Sequence, residues 1–166
     1  MLLYRCVGLN EMNNLIGYSG ECKVIMGNYN LSTEEQSTGN MIGAISFFCE
    51  PYLWLDSKHK VVVICDIPED RLQFGKGVYF AAKGFEKTKV WTGRRGSVRY
   101  ELDEAYTASY SITDVKGMSV WNGFNRDYQN RYYNRYLELG ICPLTLVKDD
   151  KGIIHIEQMK NFIYRM

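Results

Sequence analysis

The stretch "VRYELDEAYTASYS", residues 98–111, settles whether the middle of the chain is strand or helix. Its Tyr, Val and Thr content favours a strand, because branched and aromatic side chains suit a pleated, half-buried surface. Strand parity then sorts the side chains into two sets. Tyr100, Leu102, Glu104, Tyr106, Ala108 and Tyr110 share one face, and Glu101, Asp103, Ala105, Thr107, Ser109 and Ser111 share the other. The second set is polar enough to predict contact with water. Of the three carboxylates only Glu104 falls among the tyrosines. An ionised carboxylate buried without partners costs several kcal/mol, so Glu104 needs tyrosine hydroxyls, an arginine or an opening onto a cleft.

Upstream of this strand, the glycines of "TGRRGS" (92–97) predict a turn, preceded in "GKGVYFAAKG" and "EKTKVWTG" by two shorter strands or one interrupted strand. "HKVVVICDIP" (59–68) has five apolar residues in succession, which implies burial on both faces and a central place in a sheet. "MIGAISFFCEP" reads as a buried strand carrying Ser46 and Phe47, and "PYLWLDSK" as a short helix with Pro51 in its first turn. Residues 18–43, rich in Gly, Asn, Ser and Thr, read as a surface excursion. At the start, "LLYRCV" reads as a strand that sets Arg5 among apolar neighbours. It leads into a helix, "LNEMNNLIG", which Asn10 could cap and Gly17 stops.

Downstream, "NRDYQNRYYNRYLELG" places Tyr128, Tyr132 and Tyr136 four apart and ends at Gly140, predicting a core-facing amphipathic helix. "CPLTLVKDDKGIIHIEQM" alternates around an Asp-Lys-Gly turn and predicts a β-hairpin. The count is about six or seven strands with two or three short helices and no regular helical crossovers, an α+β chain.

With 166 residues, 46% hydrophobic and 23% charged, the sequence suits one domain over residues 1–166, long enough to bury roughly two-thirds of its unfolded surface. A formal charge of +1 supplies no overall field toward phosphate backbones or anionic membranes, so nucleic acid is disfavoured as a partner. Five cysteines without a C-x-x-C pair, with two histidines, argue against zinc or a disulfide framework and for reduced thiols in the cytoplasm. The start has no signal-peptide pattern, and no apolar run of membrane-spanning length occurs. No G-x-G-x-x-G, Walker A or G-x-S-x-G motif is found.

Arg5 in "LLYRCV", Ser46 in "AISFFC" and Glu104 in "ELDEAYTASYS" follow one another in an order that resembles the Arg-Ser-Glu pattern of the cholera-toxin-like branch of ADP-ribosyltransferases. The opening also resembles small bacterial and phage proteins that begin with a Leu-Tyr-Arg strand and are classed with that fold. The resemblance spans about residues 2–120. It implies an ADP-ribosyltransferase-like split β-sheet pair with NAD in the cleft between the sheets and a macromolecular acceptor, a protein in the first instance. It further implies that Arg5 contacts the nucleotide, that Ser46 positions Glu104, and that Glu104 holds the nicotinamide ribose and stabilises positive charge as nicotinamide leaves. A carboxylate fixed in a partly dry cleft serves such charge better than one in water. Aromatic stacking on nicotinamide, also implied, falls to Phe47, Phe48, Tyr79 or Phe80. Each of these has a plainer account as core packing. Arg94 and Arg95 could meet a phosphate or a partner, or be a solvated basic turn.

Two departures bear on the acceptor. Leu102 stands two before Glu104, where arginine-modifying members carry an acid, and Ser46 is followed by Phe47 and Phe48 rather than completing Ser-Thr-Ser. An acceptor other than arginine, NAD hydrolysis and loss of activity therefore stay open. The rival reading is a non-catalytic protein-binding inhibitor that grips its partner through the tyrosine-rich helix, since tyrosine and arginine concentrate at interface hot spots. Single-stranded nucleic-acid binding through tyrosine stacking is a third.

Overall fold

A computed structural model of the protein describes residues 1–27, 44–50, 60–80, 89–92, 98–120, 126–148 and 154–156, with the backbone alone for 77–80, 89–92, 98–101, 126, 128, 148, 154 and 155. The expected helix at "PYLWLDSK", the "TGRRGS" turn with Arg94 and Arg95, most of the 18–43 excursion and the Asp-Lys-Gly turn lie outside the described residues.

The elements in chain order are β1 (Leu2–Val7), α1 (Leu9–Ile16), β2 (Ile25–Met26), β3 (Ile45–Phe48), β4 (Val61–Asp66), β5 (Gln73–Phe80), β6 (Lys89–Thr92), β7 (Val98–Thr107), β8 (Ser109–Tyr110), β9 (Val115–Ser119), α2 (Arg126–Glu138), β10 (Cys142–Leu144), β11 (Leu146–Lys148) and β12 (Ile154–Ile156). Single turns of 3-10 helix sit at Glu69–Arg71 and Ile112–Asp114. The class is α+β.

One sheet runs β10-β9-β4-β1-β3-β7-β5, with β6 paired to β7. β4 is interior to it, as its apolar run predicts: Val61, Val62, Val63, Ile64 and Cys65 are all buried. Antiparallel pairing to β1 extends over six residues, Leu2 with Asp66 through Val7 with Val61. On its other side β1 meets β3 at a single register pair, Tyr4 with Phe48. That junction is a narrow seam between two broader halves of the sheet.

Each face has its own apolar layer. On one, Leu3, Val7, Ile45, Phe47, Val61, Val63 and Ala105 pack with Met12, Leu15 and Ile16 of α1 and with Tyr132 and Tyr136 of α2. On the other, Tyr4, Val62 and Ile64 pack with Leu144 and Ile156, with Phe48 and Leu146 beside them. The first is called here the helix face and the second the hairpin face.

Helix α1 begins after Gly8, which occupies the N-cap without a side-chain bond, so Asn10 lies inside the helix rather than capping it. It ends as expected at Gly17, whose φ of 63° lies in the left-handed region that glycine enters without strain. Arg135 of α2 then donates from Nε to the Ile16 carbonyl at 2.7 Å, satisfying one of the orphan acceptors at the end of α1. Tyr132 donates to Asn13 Oδ1 at 2.8 Å, and its ring stacks on Tyr18 with centroids 4.7 Å apart.

β10 pairs in parallel with β9 across α2, one helical crossover among the described residues and no regular series of them. Two expectations are corrected. Only β11 and β12 form the C-terminal hairpin. Residues 98–111 are not one strand: the chain bends at Ala108, and β8 pairs with β2 in a separate two-stranded sheet. No helix among the described residues is long and apolar enough to cross a membrane. All five cysteines are free thiols.

Candidate functional site

β7 lies between β3 and β5, which fixes what each of its side chains meets. Phe48 stands opposite Glu104 and Ser46 opposite Tyr106 on one side, while Gly75 stands opposite Glu104 and Gln73 opposite Tyr106 on the other. Directly paired residues share a face, so Glu104, Tyr106, Ser46, Phe48 and Gly75 all belong to the hairpin face.

The opposite parity belongs to the helix face. Asp103 is exposed there, but Ala105 and Thr107 are buried, because α1 and its neighbours cover that end of the strand. The expected solvated face is therefore wet only in part. Tyr110, set beyond the bend, also joins the helix face, where its ring packs edge-on against Phe47 at 5.1 Å.

Glu104 is 3% exposed. The Tyr106 hydroxyl donates to its Oε2, and Oε1 has no hydrogen-bond partner among the described residues. Burial pushes the carboxyl above the ordinary glutamate range, and the bond from Tyr106 acts against that shift. Burial and the neighbouring carboxylate push the Tyr106 phenol up in turn, so it remains a donor at neutral pH.

Gly75 gives this arrangement its shape. A Cβ built there would lie 2.9 Å from Cε2 of Tyr106 and 3.4 Å from its hydroxyl oxygen. The Tyr106 ring thus leans across β5 into space that any other side chain at position 75 would claim. Cys49, just past β3, donates its amide to the Asp103 carbonyl at 3.0 Å. Burial raises the Cys49 thiol pKa, with Asp103, Glu104 and Glu50 adding to the effect.

Arg5 is elsewhere. It alternates with Leu3 and Val7 on the helix face, with its guanidinium carbon 5.9 Å from the centre of the Phe47 ring. Nε and Nη2 donate to the two carboxylate oxygens of Glu11 at 2.9 Å each, a bidentate fork, and Nη1 donates to the Ser46 carbonyl at 2.9 Å. Tyr110 donates to the same Glu11 at 2.7 Å. Burial alone would lower the Arg5 pKa, but the bonds and charge of Glu11 outweigh it and hold the guanidinium ionised.

The five residues singled out in the sequence therefore divide. Glu104 and Ser46 share the hairpin face, though Ser46 stands across from Tyr106 and not from Glu104. Arg5 and Phe47 lie on the opposite face, engaged with Glu11 and Tyr110, and do not meet Glu104 in one cleft. Tyr79 pairs with Tyr100 in the β5–β7 register, and its side chain lies outside the described residues. Among the candidates for stacking whose side chains are described, Phe48 is the aromatic placed beside Glu104.

Gly75 and Glu11 escaped the sequence reading, whereas the tyrosine hydroxyl expected for Glu104 is supplied by Tyr106, two residues along on the same strand face. Gly75 and Glu11 depend on register and helix packing. Comparison of the chain with protein-family models, with curated proteins and with solved structures finds no match.

Proposed function

We propose that this protein is an NAD-dependent mono-ADP-ribosyltransferase that modifies a macromolecule, with Glu104 as its catalytic carboxylate. The observation that carries the reading is Oε1 of a carboxylate 3% exposed, an oxygen without a hydrogen-bond partner among the described residues, on a strand face where the residue opposite on β5 is glycine. The narrow seam between β1 and β3 supports the finer reading of the fold as an ADP-ribosyltransferase-like split sheet.

The residues present fit an NAD ribose in one respect: Oε1 is an acceptor that a ribose hydroxyl could satisfy. Phe48, partly buried on the same face, offers an aromatic surface nearby. NAD supplies a glycosidic bond to nicotinamide whose cleavage leaves positive charge on the ribose. Glu104 would oppose that charge from a low-dielectric site, where a fixed anion acts more strongly than in water. Arg5 is assigned no part in this reading, because Glu11 already occupies its fork.

The test is incubation of the purified protein with NAD labelled in the adenylate, alongside a cell lysate, for the parent and for Glu104→Gln. Label transferred to lysate macromolecules by the parent and lost in the variant is the expected result. Release of nicotinamide without transfer would replace the transferase reading with NAD hydrolysis. Equal activity in both proteins, or none in the parent, would overturn it.

The rival inhibitor reading loses the support of Tyr132 and Tyr136, which are 2% and 0% exposed and pack in the core, while the Tyr128 side chain lies outside the described residues.

A further inference from the structure

We propose that Tyr106 is the positioning residue of the Glu104 carboxylate, and that position 75 is glycine so that the phenol can reach it. The resemblance to ADP-ribosyltransferases gives the positioning role to a serine on the second strand of the motif. Here that serine, Ser46, stands opposite Tyr106, and the residue opposite Glu104 on β3 is Phe48. Phe48 offers no donor.

The donor comes from within β7 itself. Residues 104 and 106 point the same way, and a tyrosine two positions along reaches its neighbour only if its ring tilts off the strand axis. Gly75 permits that tilt: it stands directly across from Glu104, and the ring edge lies where its Cβ would be, 2.9 Å away. A real side chain there would push the ring back along β7 and draw the hydroxyl from Oε2. Glycine in the interior of a strand weakens it, and a close approach of this kind is what such a residue serves.

The result is a carboxylate with one fixed oxygen. Tyr106 engages Oε2, so Oε1, which has no partner among the described residues, is the oxygen open to a ligand, and one end of the carboxylate is anchored before any ligand arrives. This preorganisation is what a charge-stabilising group requires. Its catalytic consequence rests on the reading of Glu104 given above; the positioning itself does not.

The deciding measurement is the titration of the Glu104 side-chain carboxyl by carbon-detected NMR in the parent, Tyr106→Phe, Gly75→Ala and Ser46→Ala. Removing a donor to the charged form raises the midpoint, and for Tyr106→Phe a rise of about one pH unit is expected. Gly75→Ala should raise it in the same direction although the hydroxyl is still present, and Ser46→Ala should leave it in place. An unmoved midpoint in Tyr106→Phe, or an equal rise in Ser46→Ala, overturns the proposal. If the parent cleaves NAD, the acid limb of its rate profile should move with the same midpoint in Tyr106→Phe. If the parent does not cleave NAD, the functional reading falls while the titration still decides the positioning.

Discussion

Arg5 and Glu11, six residues apart in sequence, meet through two parallel hydrogen bonds of 2.9 Å on the helix face of the sheet. The same carboxylate takes the Tyr110 hydroxyl, so one glutamate satisfies a partly buried arginine and a buried tyrosine from different elements. Removing one partner of such a group leaves the others desolvated and unmatched, which costs more than the pair contributes when intact. Glu11→Ala should lower the unfolding free energy by about 3 kcal/mol. Urea unfolding would register this as a lower midpoint with an unchanged slope. Arg5→Lys, which cannot form the fork, should lose about 1–2 kcal/mol and leave any NAD affinity unaltered. A loss of NAD affinity at full stability would return Arg5 to the site.

The pH dependence of stability should carry the signature of Glu104. Its folded-state pKa lies above the ordinary value of 4.5, so the folded protein holds this proton more tightly than the unfolded chain does. Its contribution is therefore fully present below the unfolded value and lost as pH rises through the folded one. Glu104→Gln escapes that loss and should be more stable than the parent at pH 7 by about 1 kcal/mol, with the difference closing toward pH 4. Thermal unfolding at both values checks it. A variant less stable than the parent at pH 7 would mean that the carboxylate is well satisfied.

Asp114 has the opposite sign. Burial would raise its carboxyl, but the Arg71 fork, at 2.7 and 3.1 Å, together with the Ser111 amide, holds it below the ordinary value of 3.8. Its stabilisation is present above the unfolded value and lost as pH falls through the folded one. The Arg71 side chain is 40% exposed, so solvent screens the pair and its contribution to stability is modest. Asp114→Asn should cost about 1 kcal/mol at pH 7 and nothing near pH 2, measured by denaturant unfolding.

Tyr136 should behave as a core residue with an obligatory hydroxyl. It donates to the Ser119 carbonyl at 2.8 Å from a fully buried position. Tyr136→Phe removes that bond and should cost about 1–2 kcal/mol in denaturant unfolding, while Tyr136→Ala, which also opens a cavity, should cost about 3–5. A Tyr136→Ala protein as stable as the parent would reopen the reading of this helix as an interaction surface.

What the sequence could disclose followed from periodicity. The inward Glu104, the buried β4 run and the helix ending before Gly140 are each set by spacings of two or about 3.6 residues, which are local properties of the chain. The turn at Ala108 was hidden, because nothing in "YTASYS" interrupts the alternation, and Tyr110 consequently went to the wrong face. Arg5 was visible as a guanidinium in need of a partner. Its choice of Glu11 over Glu104 depends on where α1 lies against the sheet. The place of Ser46 opposite Tyr106 is a matter of register between strands more than fifty residues apart, which no local pattern encodes.

The narrow seam between β1 and β3 has a consequence for how the molecule opens. Hydrogen bonding along β1 and β4 binds one half of the sheet into a cooperative unit, and the long β5–β7 ladder does the same for the other. Between them the ladder supplies one residue pair, and the Arg5 guanidinium reaches the Ser46 carbonyl to add a side-chain stitch where backbone pairing has stopped. Amide exchange would then group by half rather than by face, and loss of that stitch would loosen the junction while the shared apolar layers still hold the halves together.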